Sequence, residues 1–209
     1  MNTIIFDFDY TLADSSIGAI NCIRYALTML NHEIPNENKI RKTIGLSLND
    51  TYTDLTGKID KTLAQEFSKY FIEKADQIMA SHTTLFPDTA STIRKLHERK
   101  YRLGIFSTKF RCRIIEILKR ENLDSCFEII IGGEDVKFHK PDPEGLFTIM
   151  SHLNATPQDI LYVGDSIVDA KTARNAGVRF VASLTGVTSK EEFKEYDVER
   201  IIMGLTQLC

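Results

Sequence analysis

From Pro87 onward the chain switches repeatedly between two periodicities, and no other feature limits its fold as tightly. Helical patterns near 87–99, 110–121, 143–153 and 167–175 are interleaved with the strand-like runs "YRLGIFST" (101–108), "FEIIIGG" (127–133), "DILYVGD" (159–165) and "VRFVAS" (178–183). Repeated βα units of this kind predict a parallel sheet covered on both faces by helices. The opening run "IIFDFDYT" is apolar on nearly every position before its first Asp, as a strand buried on both faces must be, and it joins the same sheet. The expected class is α/β, with a doubly wound, Rossmann-like core.

Residues 15–82 interrupt that alternation. They contain no convincing strand, but Ile17, Ile20, Ile23, Leu27 and Leu30, and later Leu63, Phe67, Tyr70, Phe71 and Ile78, recur at helical spacing. The segment is expected to be an all-helical cap inserted after the first strand. The core would then comprise 1–14 and 83–209, with hinges at about 13–16 and 82–86. Asp14-Ser15-Ser16 is expected to cap the first helix of the insertion.

Composition sets outer limits. A chain of 209 residues with 43% apolar side chains buries a real core. Its formal net charge of -3 lacks the basic excess of a nucleic-acid binder, and no apolar run is long enough to span a bilayer. Neither nucleic acid nor a membrane is an expected partner, and with no leader pattern after Met1 the expected location is cytoplasmic. Cys22, Cys112, Cys126 and Cys209 have no CxxC spacing and are expected to be free thiols.

In doubly wound sheets, ligands sit beyond the carboxyl ends of the strands. Here those ends carry Asp7 and Asp9, then Ser107, Thr108 and Lys109, then "GDSIVDA" with Asp165 and Asp169. Alternation puts Asp7 and Asp9 on one face of the strand and Phe6 and Phe8 on the other. If the first strand is central, all three tips meet. Carboxylates gathered so closely repel one another unless a cation holds them, and Mg²⁺ suits a few carboxylates plus phosphate oxygens. "FSTKF" offers hydroxyls and free amides at a helix start, a place for an anion. Lys140, before Pro141-Asp142-Pro143, is held extended in a stiff loop ahead of a helix.

These residues together resemble the haloacid dehalogenase superfamily of phosphatases, in its phosphoglycolate phosphatase-like branch with a helical cap. "DFDYT" (7–11), "FST" (106–108), Lys140 in "HKPDP" and "GDSIVDA" (164–170) occur in the family's order, and the resemblance spans essentially the whole chain. It implies Asp7 as the nucleophile that forms an aspartyl-phosphate, and Asp9 as the acid and base that serves both half-reactions. Asp9 must then be protonated when substrate is bound, which a neighbouring carboxylate and an anionic phosphate favour. The resemblance further implies that Asp165, a carboxylate oxygen of Asp7 and the backbone carbonyl of Asp9 hold Mg²⁺. Asp169 would stand behind them and fix Lys140 or a metal-bound water. Ser107 or Thr108, with Lys109, would bind the phosphoryl group, and Lys140 would offset charge on nucleophile and phosphate. The presence of Asp9 favours phosphate chemistry over carbon–halogen cleavage. Tyr10 departs from the pattern, since many relatives have Gly there, and Gly tolerates backbone angles that Tyr resists. Its ring would either pack inward or flank the site entrance.

The substrate expected is a small phosphorylated metabolite: phosphoglycolate, a sugar phosphate or pyrophosphate. In the loop "IRKTIGLSL", Arg41 and Lys42 are candidate contacts for a carboxylate or second phosphate on it. A phosphomutase like the β-phosphoglucomutases shares the four motifs, a phosphonatase would use Lys42 as its imine-forming residue, and a non-catalytic phosphorylation switch has similar acid pairs. A monomer or a homodimer is compatible with all of these.

Overall fold

The computed structural model describes residues 2–209. Six strands, β1 (Thr3–Phe6), β4 (Arg102–Phe106), β5 (Ile129–Ile131), β6 (Ile160–Gly164), β7 (Arg179–Ser183) and β8 (Arg200–Ile202), form one sheet in the order β5-β4-β1-β6-β7-β8. Every pairing in it is parallel. The first strand is central, with β4 and β6 on its two sides, and the winding reverses at its tip. β8 was not expected: three residues give no readable period, and only pairing with β7 defines it.

Alternation along the opening strand divides its side chains between two cores. Ile4, Phe6 and Phe8 pack into the layer with Ile93, Leu96, Ile114 and Ile117, from α5 (Thr89–Glu98) and α6 (Arg111–Arg120). Ile5 points to the other layer, with Leu146 and Ile149 of α7 (Glu144–Leu153) and Ala170 and Ala173 of α8 (Ile167–Ala176). Each buried Ile, Leu or Phe among them contributes about 1.5–3 kcal/mol. Asp7 follows directly past the strand end and meets Lys140, whereas Asp9, two residues on, meets Lys109 and Ser15.

Between Asp14 and Thr84 the chain forms four helices: α1 (Ser16–Met29), α2 (Glu37–Arg41), α3 (Leu48–Thr56) and α4 (Lys61–Ile78). They close over a core of their own, in which Ile20, Ile23 and Leu27 meet Tyr52, Leu55 and Phe67. Ile17 leaves the stripe and is 60% exposed. Where the chain enters and leaves the insertion, β2 (Ala13–Asp14) and β3 (Thr84–Leu85) pair antiparallel, an unpredicted two-stranded clasp. All four cysteines are free; Cys22 and Cys126 are buried, Cys112 and Cys209 exposed. Among the described residues, no helix is long and apolar enough to cross a membrane.

Candidate active site

The turn after β1 is wound tightly around the Phe8 carbonyl, which accepts the N–H groups of Thr11, Leu12 and Ala13, while the N–H of Tyr10 goes to the Ala13 carbonyl. None of these bonds uses the carbonyl of Asp9. Tyr10 takes the left-handed conformation, φ 60°, that a glycine would adopt freely. Its ring is buried, and its hydroxyl has no hydrogen-bond partner although the Arg41 guanidinium lies beside it. Packing holds the residue in an angle its own backbone disfavours.

At the centre of the site is Lys140, 4% exposed. Its loop is fixed on both sides: the N–H groups of Lys137 and Phe138 donate to the Glu144 carboxylate, and Asn175 donates to the Pro141 carbonyl. The ammonium lies 2.7 Å from Asp169 Oδ1, 3.0 Å from Asp7 Oδ1 and 3.1 Å from the Tyr162 hydroxyl. Two buried carboxylates hold its pKa above the usual lysine value against the opposing effect of burial. Tyr162, from the middle of β6, donates to Asp169 Oδ1 at 2.8 Å. Sequence reasoning missed it; the signal was a phenol inside an otherwise apolar central strand.

Asp169 accepts four donors, Lys140 and Tyr162 on one oxygen and the Ser166 hydroxyl and N–H on the other. The Ser166 N–H on Asp169, with the Asp169 N–H donating back to the Ser166 hydroxyl at 3.2 Å, makes the capping box of α8. Asp7, Asp165 and Asp169 bring carboxylate oxygens within 4.8 Å of one another. Asp169 is saturated with donors, so Asp7 and Asp165 are the two with capacity left for a cation. Asp7 Oδ1 is buried without a hydrogen bond, its contact with Lys140 being an ion pair off the hydrogen-bond axis. Burial, with neighbouring carboxylates, pushes Asp7 up to about 7 and Asp165 well above the carboxylate range. An orphaned acceptor and two acids this reluctant to ionise fit a site made for a hard cation.

Thr11 donates to Asp165 Oδ1 at 3.2 Å. On the other side, Gly186 in the loop after β7 presses against the same carboxylate: a Cβ there would lie 1.9 Å from Asp165 Oδ2. Only the folded chain shows this contact. Gly186→Ala is expected to displace the carboxylate and raise the Mg²⁺ concentration for half-maximal activity about 10–100-fold, with little change in the melting temperature. Titration of activity with Mg²⁺, beside thermal melts, checks both halves.

Asp9 faces away from that cluster. Lys109 Nζ sits 2.8 and 3.2 Å from its two oxygens, and the Ser15 hydroxyl donates to Oδ1 at 2.6 Å. Lys109, expected to meet substrate, is thus paired with the second aspartate. Ser15, expected as a helix cap, makes no cap bond; Asp14 takes that role by accepting the Ser16 N–H at 2.8 Å. Ser107 is buried and accepts the Lys109 N–H, which leaves its own hydrogen to offer, whereas Thr108 donates to the Gly45 carbonyl of the insertion at 3.1 Å.

Asp9, Thr108 and Lys109 open on a cavity of about 320 Å³ between the sheet edge and the insertion. Ile23, Ile44, Leu46, Leu48, Phe71 and Met79 form much of its wall. Neither Arg41 nor Lys42 lines it. Arg41 pairs with Glu37 at 2.9 Å, one turn away on the same helix, and Lys42 is exposed.

A parallel sheet that collects buried acids and two buried lysines at its tips, beneath a helical insertion, defines a class of hydrolase. Residues 4–183 match the family model described as "Haloacid dehalogenase-like hydrolase", and the chain belongs to that family. A crystal structure from Bacteroides fragilis, described as a haloacid dehalogenase-like hydrolase, superposes with a TM-score of 0.97 at 44% identity, covering 100% of this chain and 99% of that one. The pyrophosphatase PpaX of Bacillus cereus is 30% identical over 200 residues, 93% of this chain and 89% of that protein. A crystal structure from Clostridium acetobutylicum, described as that of a predicted phosphatase, shares the fold, with a TM-score of 0.91 at 21% identity, covering 99% of this chain and 95% of that one.

Proposed function

We propose that the chain is a Mg²⁺-dependent phosphatase that hydrolyses a small phosphate ester through an aspartyl-phosphate on Asp7. The observation that carries this reading is the buried Asp7 Oδ1, unbonded and 3.0 Å from the Lys140 ammonium, with Asp9 two residues on at the mouth of the cavity.

A carboxylate oxygen of Asp7 attacks phosphorus, and the bond from phosphorus to the leaving oxygen breaks. Lys140 holds the charge of Asp7 in place and offsets that of the phosphoryl group. Ser107 donates to a phosphoryl oxygen. Asp9 gives the leaving oxygen its proton, then takes one from the water that attacks the acyl phosphate, which frees orthophosphate and restores Asp7. To act as acid, Asp9 must exchange its ion pair with Lys109 for a proton; an arriving phosphate dianion offers Lys109 another anion to pair with. Asp7, Asp165 and the Asp9 carbonyl would hold Mg²⁺, which when bound offsets charge on the phosphoryl oxygens. The antiparallel clasp at 13–14 and 84–85 would serve as the hinge on which the insertion opens.

Orthophosphate release from p-nitrophenyl phosphate is the test. Steady turnover with Mg²⁺, suppressed by a chelator and restored by added metal, is expected. A single stoichiometric burst would point to a switch, and phosphate retained on a second hydroxyl to a mutase.

A further inference from the structure

The wall facing Asp9 is the surface that meets whatever alcohol leaves, and its chemistry is one-sided. Its hydroxyls are already spent on the protein: Thr43 donates to the Ile40 carbonyl, Ser47 to Asp50, Thr51 to the Thr43 carbonyl and Ser68 to the Ala64 carbonyl. Its charges are mostly engaged too. Lys109 is on Asp9 until a phosphoryl group takes it over, Arg113 is on Asp76 at 2.6 Å with its Nε buried and unpartnered, and Glu134 accepts the N–H of Arg111. Asn49 and His139 line the cavity as well, room for one or two polar atoms on a ligand. What remains is aliphatic and aromatic surface around about 320 Å³, within the range of small-molecule sites.

An anionic leaving group placed there would lose its hydration and meet cations already claimed, Lys109 by Asp9 or the phosphoryl group and Arg113 by Asp76, which is costly. An apolar one would exchange water for matching surface. We propose that the cavity selects phosphomonoesters whose leaving group is a neutral, largely apolar alcohol, and disfavours anionic leaving groups such as phosphate or glycolate. This rests on the phosphatase reading for its catalytic half and on the cavity alone for its binding half.

Two measurements separate the halves. Calorimetric binding of hexylphosphonate and methylphosphonate to the Mg²⁺-loaded protein reads the cavity without chemistry, and hexylphosphonate is expected to bind at least tenfold tighter. In turnover, kcat/KM should rise about threefold per methylene from ethyl to hexyl phosphate. Hexyl phosphate should also exceed pyrophosphate and phosphoglycolate. Leu46→Lys, at a half-buried position on the wall, should flatten the chain-length series and raise pyrophosphate turnover relative to hexyl phosphate. Equal binding of the two phosphonates, or a preference for pyrophosphate or phosphoglycolate, overturns the proposal. Tighter hexylphosphonate binding without turnover of any ester supports the cavity's selectivity and sinks the phosphatase reading instead.

Discussion

Asp7→Asn should reduce phosphate release by at least about 10⁴-fold while leaving the fold as stable as before or more so. In the proposed mechanism the loss in rate follows from removing the attacking oxygen: without it no acyl phosphate would form, and the remaining groups would position a substrate they cannot transfer from. The gain in stability follows from burial. Asp7 is 3% exposed, and burial pushes its carboxyl up to about 7, so the folded protein bears a cost for its charge near neutrality that an amide does not incur. Lys140 would keep Asp169 as a partner at 2.7 Å. Phosphate release, together with thermal melts in the absence of Mg²⁺, gives both readings. Residual turnover within tenfold of the parent would remove Asp7 from the nucleophile's role.

Lys140→Met should damage both activity and stability. Its ammonium faces Asp7 and Asp169 from a position almost closed to water, and among the described residues no other cation forms an ion pair with either of them. Removing it leaves buried carboxylates uncompensated, a loss of about 3–5 kcal/mol. For a chain of this length that lowers the melting temperature by roughly 10 °C. Turnover should fall about 10²–10³-fold from lost stabilisation of the phosphoryl group. The double variant with Asp169→Asn should recover part of the melting temperature without the rate, because it removes one of the two stranded charges but not the catalytic deficit. Recovery of both would make Lys140 structural only.

The parallel sheet was legible in the alternation after Pro87, and the central place of the first strand in its unbroken apolar run. The helical insertion was legible in the spacing of residues such as Ile20, Ile23, Leu27 and Phe67, which share its core. Shorter elements were not: β8 and the clasp of β2 with β3 comprise two or three residues apiece, and only their partners make them strands. Within the expected cap Asp14-Ser15-Ser16, the residue that accepts the bond could not be told apart, because Asp and Ser are both good caps in isolation. Asp9, six residues from Ser15 in sequence, claims its hydroxyl in space.

By itself the sequence determined which residues reach the tips of the sheet, because strand alternation and βα connection are local rules that act over a few residues. Alternation also led to the expectation that Asp7 and Asp9 share one face, whereas the folded chain gives them different partners. Only the tertiary structure decided which lysine serves which acid: Lys140 goes to Asp7 and Asp169, and Lys109 to Asp9, across separations of 29 to 133 residues. It also decided that Tyr162 and Gly186 belong to the site, and that the wall beyond Asp9 is apolar while Arg41 stands outside the cavity. Charge pairing and close approach depend on distances of a few ångströms between segments far apart in the chain, and no spacing in the sequence encodes them.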